Sequence, residues 1–203
     1  MEGPTVHAAR PFVGGRADAP IAFLDRDGVL NLSLDGYVNH PEQLQLIPGT
    51  AAAMRHLRDA GFLLCVVTNQ SAIGRGLWND ERLHRIHDRF DMMLLDAGAQ
   101  PDLIVACPHV PWAGCGCRKP KSGMLSLGAS LLRSQNGFGV LRQRMDNVTA
   151  TSIPGDVMVG DRRTDVLAGM NFGARSFRTV RDVGLEPWLN RLIDPEDQGT
   201  EVT

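Results

Sequence analysis

Residues 21–31, which read IAFLDRDGVLN, decide the fold. The first four are a continuous apolar run, which is typical of a strand buried on both faces of a parallel sheet. Two carboxylates, Asp25 and Asp27, follow it and precede Gly28. Ligands of open α/β sheets bind beyond the carboxyl ends of the strands, so this is where catalytic groups are expected. An Asp-x-Asp pair also suits a surface turn, but the buried strand and the glycine favour a functional site.

The rest of the chain repeats this pattern. Apolar runs lie at residues 62–67, 102–106 and 157–159, and a further strand is expected at 175–180. Helical patterns lie between them, at residues 50–60, 80–97 and 123–133 and from about residue 163. Strands that alternate with helices over short links predict an α/β fold with a doubly wound parallel sheet.

The composition is that of an ordinary globular protein, with 203 residues, of which 43% are hydrophobic and 22% charged. A net charge of −2 provides no electrostatic footprint for nucleic acid or an anionic membrane, so a small substrate is favoured. Residues 1–20 contain no apolar stretch typical of a secretory leader, and no apolar run approaches the ~20 residues that span a bilayer. We therefore expect a cytoplasmic protein, with a monomer as the default.

The expected domain organisation is a single domain over residues 20–193, with loose segments at 1–19 and 194–203. Residues 134–155 form a long connection of weak periodicity, interpreted as an insertion. This insertion precedes the strand at 157–159, so topology places it towards the amino-terminal edge of the sheet. We therefore expect it to be neutral for catalysis.

Three further sets of polar residues follow predicted strands. Thr68-Asn69-Gln70-Ser71 suits hydrogen bonding to phosphoryl oxygens, although the same residues could cap a helix. Arg118-Lys119-Pro120-Lys121 could neutralise a phosphoryl group or form a solvated basic loop. Asp161 suits a third magnesium ligand, and Asp165 suits either a supporting, water-mediated role or the first turn of a helix.

In this order, the four motifs resemble the signature motifs of the haloacid dehalogenase-like phosphatases, from about residue 21 to residue 180. The resemblance implies a Rossmann-like sheet and a two-step reaction. Asp25 would be the nucleophile that forms an aspartyl phosphate, and Asp27 would protonate the leaving oxygen and then activate water. Thr68 and Asn69 would bind the phosphoryl oxygens, and Lys119 would offset charge. Mg²⁺ would lie on Asp25, the backbone carbonyl of Asp27, and Asp161, with Asp165 supporting it.

Spacing indicates how the site is closed. Only 40 residues separate Asp27 from Thr68, and a helix and a strand use much of that interval. The interval from Ser71 to Lys119 is likewise filled, so no separate cap domain fits. The sequence therefore predicts an uncapped site, walled by residues 32–40 and by the cysteine-rich loop 107–117.

This loop contains Cys107, His109, Cys115 and Cys117, the ligand set of a closed tetrahedral zinc site. Clustered cysteines of a reducing compartment more often bind metal than form disulfides, with unliganded thiols as the alternative. Structural zinc here would fix the loop that presents Arg118 and Lys119. The fourth cysteine, Cys65, lies inside an apolar run and is interpreted as a core residue.

The string C-x-H-x5-C-x-C-R-K-P-K, with Asp35-Gly36-Tyr37-Val38 and the segment from Thr68 to Gly76, closely resembles the D-glycero-manno-heptose 1,7-bisphosphate 7-phosphatases. The histidinol-phosphate phosphatases share the zinc loop and remain an alternative; a non-catalytic zinc-stabilised binding module is a distant one. The heptose resemblance implies removal of the 7-phosphate in nucleotide-activated heptose biosynthesis for lipopolysaccharide or capsule, with the anomer open. It implies substrate contacts at Arg26, Asp35, Gly36, Tyr37, Gln70, Ser71, Arg118 and Arg162.

Five histidines lie outside the zinc loop, at positions 7, 40, 56, 84 and 87. None has neighbours in the sequence that suggest metal ligation. His84 and His87 share a helical face, and we expect both on the surface of that helix.

Overall fold

The computed structural model describes residues 3–8, 16–134 and 150–200. Within them, six strands form one sheet in the order β1-β4-β3-β2-β5-β6, in which β2 to β6 are parallel and β1 pairs antiparallel with β4. The strands are β1 Thr5–His7, β2 Ile21–Leu24, β3 Leu63–Asn69, β4 Leu103–Cys107, β5 Val157–Gly160 and β6 Arg175–Arg178. The predicted parallel α/β sheet is therefore confirmed.

Helices cover both faces of the sheet. They are α1 Thr50–Asp59, α2 Asp80–Leu95, α3 Gly123–Arg133, α4 Arg163–Phe172 and α5 Leu189–Ile193, with short 3-10 turns at Pro41–Gln43, Pro111–Ala113 and Glu186–Trp188. Leu24 packs with residues of α1, α2 and α5 on one face, whereas its neighbour Phe23 packs with residues of α3 and α4 on the other. This alternation explains the continuous apolar runs, because a strand covered on both faces buries every side chain.

The sheet has one strand more than the sequence predicts. Thr5–His7 forms the antiparallel edge, with Thr5 opposite Ala106, and Val6 is buried. The expectation of a loose segment 1–19 is wrong for these residues, because three residues that pair with an exposed strand edge need no long apolar run. Residues 1–2 and 9–15 of that segment lie outside the described part of the chain.

The expected loose tail 194–203 is also wrong for residues 194–200. The Arg175 guanidinium donates to the carbonyls of Leu192, Asp194 and Asp197, and Arg191 pairs with Asp197 at 2.7 Å. Gly199 forms a bridge with Ser176 of β6. Paired backbone and side-chain groups thus fasten this segment to the edge of the sheet, while residues 201–203 lie outside the described part.

The segment 134–155 begins and ends at the amino-terminal edge of the sheet, as expected. Nη2 of Arg133, the last residue of α3, lies 2.6 Å from Oδ1 of Asp156, and the same carboxylate accepts a hydrogen bond from the backbone N–H of Ile21, the first residue of β2. Residues 135–149 lie outside the described part of the chain, so the catalytic neutrality of the insertion stays a prediction.

Candidate active site and metal centre

A cleft of about 740 Å³ opens at the carboxyl ends of the parallel strands. Asp25 and Asp27 enter it from the end of β2, Thr68 and Asn69 from the end of β3, and Asp165 from α4. The segment 33–38 and the loop 111–121 contribute the remaining walls. Between residues 28 and 119, the connections on this side hold only short 3-10 turns, so the described chain has no cap domain there.

Lys119 lies between two carboxylates at the base of this cleft. Its Nζ is 2.8 Å from Oδ1 of Asp25 and 2.7 Å from Oδ1 of Asp165, and it donates to the carbonyl of Val67 at 2.8 Å. Burial alone would lower the pKa of Lys119, but Asp165 and Asp25 hold it above its ordinary value. Lys119 is therefore a buried cation next to the residue that the resemblance makes the nucleophile.

Three carboxylates converge beside this lysine. Oxygens of Asp25, Asp161 and Asp165 lie within 4.8 Å of one another. Burial raises the pKa of Asp25 to about 7, against the opposing influence of Lys119, and burial together with Asp165 raises the pKa of Asp161. Among the described residues, Oδ1 of Asp161 is buried without a hydrogen-bond partner. Crowded carboxylates with a spare oxygen fit a hard divalent cation.

Two glycines make room for these carboxylates. Gly28 has φ +87°, and a Cβ at this position would lie 3.0 Å from Oδ2 of Asp161. A Cβ on Gly160 would collide with the side chain of Asp165. The glycines in the first and last motifs therefore allow the turns and carboxylates of two neighbouring strands to approach each other.

Asp27 is oriented by its neighbours. Arg26 donates to Oδ1 of Asp27 from Nε at 3.1 Å and from Nη2 at 2.9 Å, and Asn31 donates to the same oxygen at 3.0 Å. Gln70 donates to Oδ2 at 2.8 Å. Burial would raise the pKa of Asp27, but Arg26 and the hydrogen bonds together lower it below its ordinary value. Asp27 is thus an ionised hydrogen-bond acceptor at the mouth of the carboxylate cluster.

Three predicted substrate contacts lie outside the cleft lining. The side chain of Arg26 is fully buried and its guanidinium is turned onto Asp27, so the side chain gives no support to the predicted substrate contact at Arg26, which stays a prediction. Gln70 is also buried, and its amide bridges Asp27 and Thr68. Both side chains therefore hold Asp27 in place. The sequence motif alone did not indicate this role, because a motif does not show in which direction a side chain turns at the end of a strand. Asp35 is exposed on the segment before Tyr37.

Replacing Arg26 should be costly. Arg26→Gln leaves the carboxylate of Asp27 without its main cation, so we expect the free energy of unfolding to fall by about 3 kcal/mol, and the turnover number to fall with it. Arg16→Gln is the matched control, since Arg16 is exposed and donates to the carbonyl of Gly61, and should change stability by less than ~0.5 kcal/mol. Urea unfolding of both variants measures the difference; equal midpoints would show that the ion pair of Arg26 with Asp27 contributes little to stability.

Polar groups from β3 and the 33–38 segment complete the floor. Tyr37 Oη and Ser71 Oγ are 2.9 Å apart, and both residues line the cleft with Gly36; the substrate contacts predicted for all three stay predictions. Thr68 accepts a hydrogen bond from Gln70 at 2.9 Å, which leaves its own O–H available as a donor. Asn69 lines the cleft too, but its amide bonds the backbone N–H and carbonyl of Lys119. Asn69 therefore holds the lysine loop in place.

The four predicted zinc ligands come together. Cys107 Sγ lies 3.5 Å from His109 Nδ1, 3.7 Å from Cys115 Sγ and 3.4 Å from Cys117 Sγ. Four ligands at about 2.0–2.3 Å from one ion have such separations. A hydrogen bond from Cys117 lowers the pKa of Cys107 to about 5, while the same contact raises the pKa of Cys117. In this pair, one thiol therefore ionises easily and the other does not. A bound cation would remove that obstacle, because it stabilises both thiolates.

Cations line the cleft next to this cluster. Arg118 donates to the carbonyl of His109 at 3.0 Å, and Lys121 donates to the carbonyls of Gly114 and Cys115. Arg162 lines the cleft from the start of α4. Arg75, which was not among the predicted contacts, lines it as well and stacks on Trp112, with 5.1 Å between the guanidinium carbon and the ring centre. Arg75 belongs to the segment from Thr68 to Gly76 that carries the family resemblance, and this membership could have marked it as a candidate substrate contact.

Comparisons with known proteins agree with this arrangement. A family model described as HAD-hydrolase-like matches residues 116–202. The chain is 35% identical to a D-glycero-beta-D-manno-heptose-1,7-bisphosphate 7-phosphatase of Yersinia pestis over 191 residues, which cover 86% of this chain and 92% of that protein. It is 43% identical to the protein of the same name from Pseudomonas aeruginosa over 105 residues, which cover 52% of this chain and 59% of that one. The chain thus spans about 60% of the length of the Pseudomonas relatives it matches.

A solved structure shows the same likeness. The D,D-heptose 1,7-bisphosphate phosphatase from B. bronchiseptica, in a crystal with magnesium and phosphate, has a TM-score of 0.66 and 31% identity, covering 78% of this chain and 79% of that one. As for membranes, no helix in the described ranges combines the length and the apolar character that a crossing requires.

Proposed function

Because the chain belongs to the haloacid dehalogenase-like phosphatases, in the family of the D-glycero-beta-D-manno-heptose-1,7-bisphosphate 7-phosphatases, we propose that it removes the 7-phosphate of D-glycero-D-manno-heptose 1,7-bisphosphate. One observation carries this proposal. A single cleft joins the buried Asp25–Lys119–Asp165 group to the cations Arg75, Arg118 and Lys121. A sugar with two phosphates needs both places, one for the phosphate that reacts and one for the phosphate that stays.

In the first step, a carboxylate oxygen of Asp25 attacks the phosphorus of the 7-phosphate, and the bond from phosphorus to the sugar oxygen breaks. Asp27 supplies the proton that the leaving oxygen takes up. Asp27 is ionised in the resting chain, and the negative charge of an entering phosphate would raise its pKa and load it with that proton. Lys119, 2.8 Å from Asp25, offsets the charge that accumulates on the phosphoryl group.

In the second step, Asp27 takes a proton from water, and the resulting hydroxide attacks the phosphorus. The bond to Asp25 breaks, so inorganic phosphate leaves and the Asp25 carboxylate is restored. Arg26, Asn31 and Gln70 hold Asp27 in its ionised form and in one orientation for this role. Thr68 and Ser71 line the cleft, and their hydroxyls would donate hydrogen bonds to the phosphoryl oxygens.

We include two metals in the proposal. Asp25, Asp161 and the backbone carbonyl of Asp27 would hold Mg²⁺, with Asp165 engaged by Lys119. This set is supported by Oδ1 of Asp161, which is buried and has no hydrogen-bond partner among the described residues. Magnesium supplies the positive charge that lets a carboxylate approach an anionic phosphate. Cys107, His109, Cys115 and Cys117 would hold structural Zn²⁺, supported by the separations of their ligand atoms.

The phosphate that stays on the sugar would bind at the cationic end of the cleft. Arg118 is best prepared for it, because its bond to the carbonyl of His109 ties one edge of the guanidinium to the proposed zinc loop. Arg162 and Arg75 are exposed and would add charge without such anchoring. We further place the chain in the cytoplasm, where its four unpaired cysteines would stay reduced, acting as a monomer in heptose biosynthesis for lipopolysaccharide or capsule.

The test is phosphate release in the presence of Mg²⁺, with both anomers of the heptose 1,7-bisphosphate, heptose 7-phosphate and histidinol phosphate as substrates. We expect the highest kcat/KM for a bisphosphate. Arg118→Met should raise KM for the bisphosphate about 10- to 100-fold and change the constants for heptose 7-phosphate little, since only the bisphosphate loses a charge-assisted bond. A higher kcat/KM for histidinol phosphate would overturn the substrate, and an equal effect of Arg118→Met on both sugars would overturn the phosphate site.

A further inference from the structure

A cluster of histidines and aspartates lies between the edge strand β1 and helix α2. It consists of His7 on β1 and of His84, His87, Asp88 and Asp91 on α2. The expectation that His84 and His87 lie on the helix surface is wrong for His87, which is 1% exposed, because β1 covers this part of the helix. None of these side chains lines the catalytic cleft.

The ring of His7 is oriented by a carboxylate. Its Nε2 is 2.7 Å from Oδ2 of Asp91, and both residues are buried. A carboxylate at this distance accepts the Nε2 proton, so the lone pair of neutral His7 lies on Nδ1. Histidines that bind metal ions commonly donate their other ring N–H to a carboxylate in this way.

The second ring nitrogen of His7 lies within hydrogen-bond distance of a nitrogen of another imidazole. His7 Nδ1 and His84 Nδ1 are 3.3 Å apart. Two nitrogens bound to one tetrahedral ion at about 2.0–2.1 Å are also separated by about 3.3 Å. The pair therefore already has the spacing of two ligands of a single ion, with one ligand on the strand and the other on the helix.

The surroundings favour neutral imidazoles and a cation between them. Burial lowers the pKa of His84 and of His87, and Arg26, on the inner side of the cluster, lowers that of His87 further. Asp80 and Asp88 lie one turn before and one turn after His84, and their negative charges oppose the effect of burial on the pKa of His84. Asp88 Oδ1 is 3.9 Å from His7 Nε2. Four buried atoms of the cluster lack hydrogen-bond partners in the described part of the chain: His84 Nε2, both ring nitrogens of His87, and Asp91 Oδ1. Buried polar atoms without protein partners commonly bond ordered water or ions.

We propose that Nδ1 of His7 and Nδ1 of His84 bind a divalent transition-metal ion of the zinc and nickel type, with Asp91 orienting His7 and with water completing the coordination. Imidazole nitrogens suit such ions, whereas magnesium prefers oxygen. A metal here joins the edge strand to α2, and it is separate from both the carboxylates of the cleft and the cysteines of loop 107–117.

Metal titration tests this site. The full chain, loaded with one equivalent of Zn²⁺ and kept in millimolar Mg²⁺, is titrated with Ni²⁺ by calorimetry. We expect one further equivalent to bind and the melting temperature to rise with it. His84→Asn should abolish this equivalent, and Asp91→Asn should weaken it at least ~10-fold. Both variants should release phosphate at the native rate.

His56→Asn is the matched control, because His56 is an exposed histidine on α1, and it should bind Ni²⁺ as the native chain does. Absence of a further equivalent in the native chain would overturn the proposal. So would a further equivalent that survives His84→Asn, since that ion would then lie elsewhere, such as on the carboxylates of the cleft. Circular dichroism of each variant ensures that a loss of binding reflects the ligand and not an unfolded chain.

Discussion

Asp25→Asn is expected to reduce phosphate release by at least ~10⁴-fold, because an amide cannot form the acyl phosphate on which both steps of the proposed reaction depend. The fold should persist, since the amide fits the volume of the carboxylate, and Lys119 keeps its ion pair with Asp165 at 2.7 Å. The measurement is single-turnover phosphate release with the heptose bisphosphate. Activity of Asp25→Asn within ~10-fold of the native chain would exclude Asp25 as the nucleophile.

Although Asp25→Asn should lose activity, it should be more stable than the native chain at high pH. Burial raises the pKa of Asp25 to about 7, so the folded chain holds this proton more tightly than the unfolded chain, whose carboxyl titrates near its ordinary value of about 3.9. Without divalent cations, native stability should therefore fall as the pH rises from about 4 to 7. A neutral amide at this position carries no such penalty, so Asp25→Asn should melt at a higher temperature than the native chain at pH 8 in chelator. The two curves should converge towards pH 4; a variant that is less stable at pH 8 would contradict the pKa shift.

Cys117→Ser should abolish zinc binding at the proposed site in loop 107–117, and with it much of the stability of the catalytic loop. Three cysteines and one histidine are packed without a disulfide, so a loop with three ligands loses its main crosslink. We expect the free energy of unfolding to fall by about 4 kcal/mol or more, and kcat/KM to fall at least ~100-fold, because Arg118 and Lys119 follow the lost ligand directly.

Cys65→Ala is the control for this change. Cys65 is a fully buried thiol of β3 in the core, and burial raises its pKa, so it takes no part in metal binding. The variant should keep one equivalent of zinc and near-native kcat/KM, at a cost of about 1 kcal/mol in stability. Zinc content by mass spectrometry and thermal unfolding with and without chelator distinguish the two variants. Full zinc content in Cys117→Ser would show that Cys117 is not a ligand.

Most of the fold could be predicted from local pattern, because strands buried on both faces have a strong apolar signal. Ile21–Leu24 was predicted to the residue, and the helix predicted at 50–60 ends one residue earlier. Thr5–His7 was missed because a three-residue edge strand has almost no pattern of its own. Its stability depends on β4 and α2, which are more than 70 residues away in the chain.

The candidate site shows a similar limit. The motifs correctly indicated which residues meet at the strand ends. Parallel strands bring their carboxyl ends to the same edge of the sheet, even when the strands are far apart in the sequence. The motifs could not show that the Arg26 side chain turns inward to Asp27, nor that the Asn69 side chain accepts a hydrogen bond from the backbone N–H of Lys119. Both depend on side-chain directions, which follow from packing. The partnership of His7 with α2 was hidden for the same reason.

The hydrogen bonds of Asp156 bear on where the length of such chains can vary during evolution. Its carboxylate accepts hydrogen bonds from Arg133 at the end of α3, from Ile21 at the start of β2, and from Ser152 and Ile153 in the segment between α3 and β5. Among the described residues, this one carboxylate therefore joins the end of α3 to the start of β2 and to the segment before β5. We expect insertions and deletions between residues 134 and 150 to leave these hydrogen bonds of Asp156 intact, so that descendants of one ancestral gene could differ in length there and still inherit the same cleft at the opposite end of the sheet.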